Sequence, residues 1–71
     1  MTNSKLLLKT IRDRGLKFKF VAEQLGLTAN GFRKKANNQT EFKASEIQNC
    51  VAILHLSDEE RNKIFFCQIS D

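Results

Sequence analysis

Ala29, Asn30, Arg33 and Lys34 fall within six consecutive residues and bracket the apolar Phe32. At about 100° per helical residue, Asn30 and Lys34 lie almost opposite Phe32, with Ala29 and Arg33 on the flanks. If Phe32 faces a core, the opposite surface carries a carboxamide, a guanidinium, an ammonium and a methyl group. Those groups suit base-pair edges: Asn matches adenine, Arg or Lys matches guanine, and an Ala methyl can meet a thymine methyl. The run Arg33-Lys34-Lys35 also suits a plain solvated helix end, where cations complement the helix dipole. Around it, Lys17, Lys19, Thr28, Lys35, Asn37, Asn38, Gln39, Thr40 and Lys43 are candidates for phosphate contacts. Such contacts set register and give most of the salt-sensitive affinity, though each residue alone also reads as ordinary surface.

Other chemistry finds little support. His55 is the only histidine, and Cys50, five residues away, does not make a metal pair with it on a helix. A packed or surface histidine is expected. Ser57 has no histidine partner within reach and reads as a helix cap. Cys50 and Cys67 form no CxxC pair, so reduced, partly buried thiols are expected. With no nucleophile, base or metal cluster, and a core too small to wall a substrate pocket, the chain is expected to be no enzyme and to need no cofactor.

The elements that would hold these residues are all helical. A first helix is predicted from Lys5 to Arg14, capped by Ser4, with Leu7, Leu8 and Ile11 on one face. Gly15 follows it. A second runs from Phe18 to Leu25, burying Val21, Ala22 and Leu25, and Gly26 ends it. Thr28 caps a third, Ala29 to Ala36, with Phe32 inward. Asn37-Asn38-Gln39-Thr40 is a polar loop whose asparagines tolerate left-handed backbone. A fourth spans Ala44 to Leu54 and buries Ile47, Val51 and Leu54. The fifth opens on the capping-box sequence Ser57-Asp58-Glu59-Glu60 and ends near Phe66. Val and Ile do not alternate, so the expectation is an all-α fold. Seventy-one residues make one domain, 1–71, with no room for a second core.

Charge is divided unevenly along the chain. Residues 1–43 carry ten cations against three acids, a net +7, whereas 44–71 carry a net −3. A basic half joined to an acidic half suggests that one end faces a polyanion and the other turns away. The longest apolar runs are three or four residues, too short for a membrane span or a secretory signal. The chain is therefore expected to avoid membranes and remain in the cytoplasm.

Ala22, Gly26 and Phe32 have the spacing of a tight helix-turn-helix: a small residue where helices cross, a turn residue free to adopt positive φ, and an apolar anchor. The stretch Val21-Ala22-Glu23-Gln24-Leu25-Gly26-Leu27-Thr28, followed by Phe32, resembles the helix-turn-helix of the lambda Cro and repressor-type family. Thr40-Glu41-Phe42-Lys43-Ala44-Ser45-Glu46-Ile47 and Ile64-Phe65-Phe66 look like parts of short phage-encoded regulators of Gram-positive hosts. The resemblance covers roughly residues 5–66. It implies a compact five-helix, lambda repressor-like domain with its helix-turn-helix at about 18–36. The third helix would enter the DNA major groove, often as a homodimer on a two-fold operator. Phe18 departs from the pattern, since many relatives place there a polar residue such as Gln that contacts phosphate or braces the recognition helix. Asn37-Asn38 stands where Asn-Gly is more usual.

These readings converge on a sequence-specific regulator of transcription that binds double-stranded DNA, a Cro-like repressor of a prokaryotic or phage-infected cell. The alternative is an antirepressor that uses the same surface to bind another phage repressor protein, and Phe18, Phe20 and Gly31 suit such a partner. RNA recognition would call for exposed aromatic platforms that the sequence does not offer. Phe65, Phe66 and Ile69 form an apolar C-terminal edge that either closes the core or joins two subunits.

Overall fold

Local capping signals set the ends of the helices. The computed structural model describes residues 1–66 and contains α1 (Ser4–Asp13), α2 (Phe18–Gln24), α3 (Ala29–Ala36), α4 (Ala44–Leu54) and α5 (Asp58–Phe65). The fold is all-α with five helices, and no strand occurs among the described residues. Gly15 and Gly26, each at φ +74°, end the first two helices in a conformation that a Cβ would strain. Thr28 Oγ1 accepts the Gly31 N–H at 2.9 Å and starts α3. At α5 the capping box is complete: Ser57 Oγ accepts from Glu60 N–H at 3.1 Å, and Glu60 Oε1 accepts from Ser57 N–H at 2.9 Å.

One cap differs from expectation, and α4, found at its expected bounds, ends unusually on both sides. Asn3, not Ser4, caps α1, its Oδ1 accepting the Leu6 N–H at 3.1 Å. Both side chains are good caps, and Ser4 is spent elsewhere, donating its hydroxyl to the Ala36 carbonyl at the end of α3. At α4 the cap residue is Lys43, whose ammonium can accept nothing. Glu46 alone reaches back, taking the Lys43 N–H at 2.8 Å. His55 ends α4 in left-handed geometry, φ 54°, a place usually held by glycine or asparagine.

The core is built from one stripe of each helix: Leu7 and Ile11 of α1, Val21 and Ala22 of α2, Phe32 and Ala36 of α3, Cys50 and Leu54 of α4, Ile64 and Phe65 of α5. Leu25 and Leu56, just beyond α2 and α4, complete it. Leu8 lies outside the stripe and is 42% exposed, because Thr10 takes the inward place beside Leu7 and Ile11. Helix α4 buries Leu54 as expected but is rotated slightly for the rest. It turns Glu46, Cys50 and Leu54 inward, leaving Ile47 and Val51 half-buried against the core.

A chain of aromatic rings crosses this core. Phe18 stacks on Phe32 with centroids 4.4 Å apart, Phe32 meets Phe42 edge-on at 6.0 Å, and Phe42 meets Phe65 edge-on at 5.2 Å. Such offset and T-shaped pairs match the ring quadrupoles. Phe65 therefore closes the core and does not belong to an exposed edge, while Phe66 remains 52% exposed. Ile69 lies outside the described residues.

Helix α1 packs on α2 and α5, and α2 packs on α3 and α4. Two polar ties hold the ends together. Arg14 donates through Nε to the Leu54 carbonyl at 2.7 Å, and its Nη2 meets both Glu60 oxygens at 3.1 and 3.2 Å. The Asn3 N–H donates to the Ile64 carbonyl at 2.7 Å.

Phe42→Ala is expected to cost roughly 2–4 kcal/mol, somewhat below a fully buried Phe truncation because Phe42 is half-buried. Urea denaturation followed by far-UV circular dichroism measures it. A loss below about 1 kcal/mol would exclude Phe42 from the load shared by the aromatic chain.

Candidate nucleic-acid interface

Helix α3 has two faces with separate tasks. Phe32 and Ala36, at 0% and 2% exposure, fix it to the core. Asn30, Arg33 and Lys34 are exposed on the outward side, and Ala29 is half-exposed on the flank. No acidic residue occurs in α3. Of the four residues expected to face base edges, Asn30, Arg33 and Lys34 are thus exposed on one short helix, and Ala29 is partly covered beside them. Gly31 has a local role: a Cβ there would stand 3.1 Å from Thr28 Oγ1, so glycine leaves the capping hydroxyl its place.

Ion pairing sorts the cations. Of the ten in residues 1–43, three are paired: Lys9 with Asp13, Arg14 with Glu60 and Lys35 with Glu46. Arg61 and Lys63, the two cations of the acidic half, pair with Asp58 and Glu59 on their own helix. Lys5, Arg12, Lys17, Lys19, Arg33, Lys34 and Lys43 are exposed and have no ion-pair partner among the described residues. The unbalanced positive charge therefore lies wholly in the first 43 residues, with five of these seven cations on or beside the two helices of 18–36 and the loop that follows.

The flanking set is trimmed by the structure. Lys35 points inward: its Nζ donates to Glu46 Oε1 at 2.9 Å and to the Glu41 carbonyl at 3.1 Å, with only 14% of the side chain exposed. It braces α3 against α4 and is not free for a phosphate. Asn38 is also engaged. Its Oδ1 accepts the Thr2 N–H at 2.8 Å, its Nδ2 donates to the Thr2 carbonyl at 3.0 Å, and its own backbone is left-handed at φ 66°. Thr28 uses its oxygen as the α3 cap while remaining exposed. Lys17, Lys19, Asn37, Gln39, Thr40 and Lys43 stay exposed around the helix-turn-helix.

Two side chains take roles here that the sequence alone did not assign them. Glu46 lies eleven residues beyond Lys35, outside any helical pairing rule, and they meet only because α3 and α4 fold together. Burial pushes the Glu46 carboxyl upward, but the Lys43 backbone N–H and the Lys35 ammonium outweigh it and leave its pKa below the ordinary value. Phe18 is the other: the Arg33 guanidinium carbon sits 5.5 Å from its ring centroid. Leu8, Phe18, Arg33, Ala36 and Asn37 line an open cleft of about 370 Å³. A second cleft, about 470 Å³, is lined by Phe42, Ala44, Ile47, Gln48, Arg61 and Phe66. Neither lining contains a nucleophile or a general base. Cys50 is fully buried, which pushes its thiol up to about 12, and the Glu46 charge adds to the shift. Cys67 lies outside the described residues. Among the described residues no group of three or more His, Cys, Asp or Glu could hold a metal ion, and no helix is long and apolar enough to cross a membrane.

The Lys35–Glu46 contact predicts a pH signature. A carboxyl whose folded pKa is depressed stabilises the fold fully above its unfolded value, near 4.5, and loses that contribution as pH falls through the lower folded value. Glu46→Gln is expected to destabilise by about 1–3 kcal/mol near neutral pH, with the gap from the natural protein shrinking in acid. Thermal melts across the acid range test this, and a gap independent of pH would remove the ion pair from the account. Set against protein-family models, curated proteins and solved structures, the chain matches none of them.

Proposed function

We propose that this chain is a sequence-specific DNA-binding regulator of transcription, a Cro-like repressor that acts in the cytoplasm without catalysis and reads operator DNA with α3. One observation carries the reading: a helix face of Asn30, Arg33 and Lys34, free of acids, with exposed cations nearby in the chain that form no ion pair among the described residues. A helix of this width fits the major groove, where carboxamide and cationic side chains reach base edges. Lys17, Lys19 and Lys43 are exposed and would be the candidates for contacts to the flanking phosphates. The resemblance of 18–36 to phage regulators points the same way.

A domain of this size reads few base pairs, so two copies on a two-fold site supply useful specificity. The acidic half is the side left free for a second copy, and Phe66 is its exposed apolar residue. The rival reading, an antirepressor that binds another repressor protein, draws on Phe20, which is 42% exposed beside the same surface.

Electrophoretic shift with DNA flanking the chain's own gene, with and without neighbouring regulators, separates the two. Affinity is expected to fall steeply with salt, with a log–log slope of about −0.9 per phosphate contact. Asn30→Ala and Lys34→Ala are each expected to cost roughly 1–3 kcal/mol on the preferred site and less on random duplex, while Lys43→Ala weakens both alike. A flat salt response, or no DNA binding at low salt, favours the antirepressor. Phe66→Ala is expected to weaken self-association in sedimentation while leaving the melting point largely intact. A monomer at every concentration, free and on DNA, would end the homodimer idea.

A further inference from the structure

We propose that Arg33 binds phosphate and does not read bases, and that Phe18 is the positioning residue that assigns it this role. The inference rests on the DNA-binding reading of α3. Phe32 is fully buried, Phe18 stacks on it with centroids 4.4 Å apart and planes 22° apart, and Arg33 lies over Phe18 at 5.5 Å. The guanidinium is thus drawn back towards the start of α2, away from the outward line of Asn30 and Lys34. Attraction between a cation and an aromatic face favours this arrangement in a side chain otherwise free to take many rotamers.

Groove geometry supplies the rest. A helix with its side chains is about 10–12 Å across, and the major groove of B-DNA is about 12 Å wide. A helix seated there turns its front to the base edges and its flanks to the sugar–phosphate walls. Asn30 and Lys34 are on the front of α3, and Arg33 is on a flank. Phe18 holds the guanidinium through its ring face, Arg33 has no ion-pair partner among the described residues, and a guanidinium fork suits phosphate oxygens. Two further features mark that flank as a phosphate site. Lys17 and Lys19, the chain neighbours of Phe18, are exposed cations, and Asn37, one turn beyond Arg33, lines the same cleft.

The test measures fluorescence anisotropy of the full chain at several salt concentrations. The two probes are a preferred duplex selected from a randomised library and a scrambled duplex of equal length. Arg33→Ala is expected to weaken both by the same factor and to lower the salt slope by about 0.9, one phosphate contact. Phe18→Leu is expected to weaken both duplexes together, and its effect should largely vanish in an Arg33→Ala background. If Phe18→Leu does not fold, the natural protein decides by NMR: ring current from Phe18 is expected to move the Arg33 side-chain protons upfield, and unshifted protons would overturn the platform. Loss confined to the preferred duplex on Arg33→Ala, in the range of about five- to 150-fold that base contacts give, would make Arg33 a base reader and overturn the inference while leaving DNA binding in place. Failure of the natural protein to bind either duplex would overturn the underlying reading as well.

Discussion

The stacking of Phe32 within the core governs the placement of everything on α3. An eight-residue helix is too short to hold itself in water, so its geometry comes from what it packs against. Phe32 is gripped between Phe18 on one side and Phe42 on the other, and Phe42 passes the contact on to Phe65. These four rings join α2, α3, the loop before α4 and α5. Rotation of α3 about its axis would open a void beside Phe32, and close-packed interiors resist such voids. The outward residues inherit that fixed angle without contributing to it.

A second constraint acts at the far end of the helix. Lys35 crosses to Glu46 and the Glu41 carbonyl, so the last turn of α3 is tied by charge to the first turn of α4 and by a hydrogen bond to the loop before it. Glu46 serves two purposes with one oxygen, taking the Lys35 ammonium and the N–H of the N-cap residue Lys43, as the third helical residue does in a capping box. Anchoring residues and outward residues therefore share a helix but not a surface. Asn30 and Lys34 can vary with little effect on the core, and the core can be repacked without touching them.

Much of the fold was readable in local signals. Gly15, Gly26, Thr28 and the Ser57–Glu60 pair mark helix ends by mechanisms that act within a few residues, and helical spacing placed Leu7, Ile11, Val21, Ala22, Leu25, Phe32 and Leu54 inside. What was not readable depends on distance along the chain. Asn3 and Ser4 are equivalent caps until the Ala36 carbonyl claims the serine. Phe42 sits in a loop, where no periodicity announces burial. Phe65 and Phe66 are identical in type, and only the position of α5 sends one inward. In the candidate site, the outward face of α3 followed from the angle to Phe32. The diversion of Lys35 and Asn38 into internal contacts needed partners eleven and thirty-six residues away.

The bond between Asn38 and Thr2 bears on how the chain reaches its folded state. Thr2 and Asn3 leave the ribosome early, yet their partners are the Asn38 side chain and the Ile64 carbonyl. Helix α2 packs on both α1 and α3, so these three helices can associate while translation continues. Closure of the first residues onto α5 must wait until nearly the whole described length is free. Such late, long-range contacts carry the largest loop-closure entropy and form after the local nucleus. The order of synthesis thus leaves the contacts of α1 and the residues before it with α5 to close the domain last.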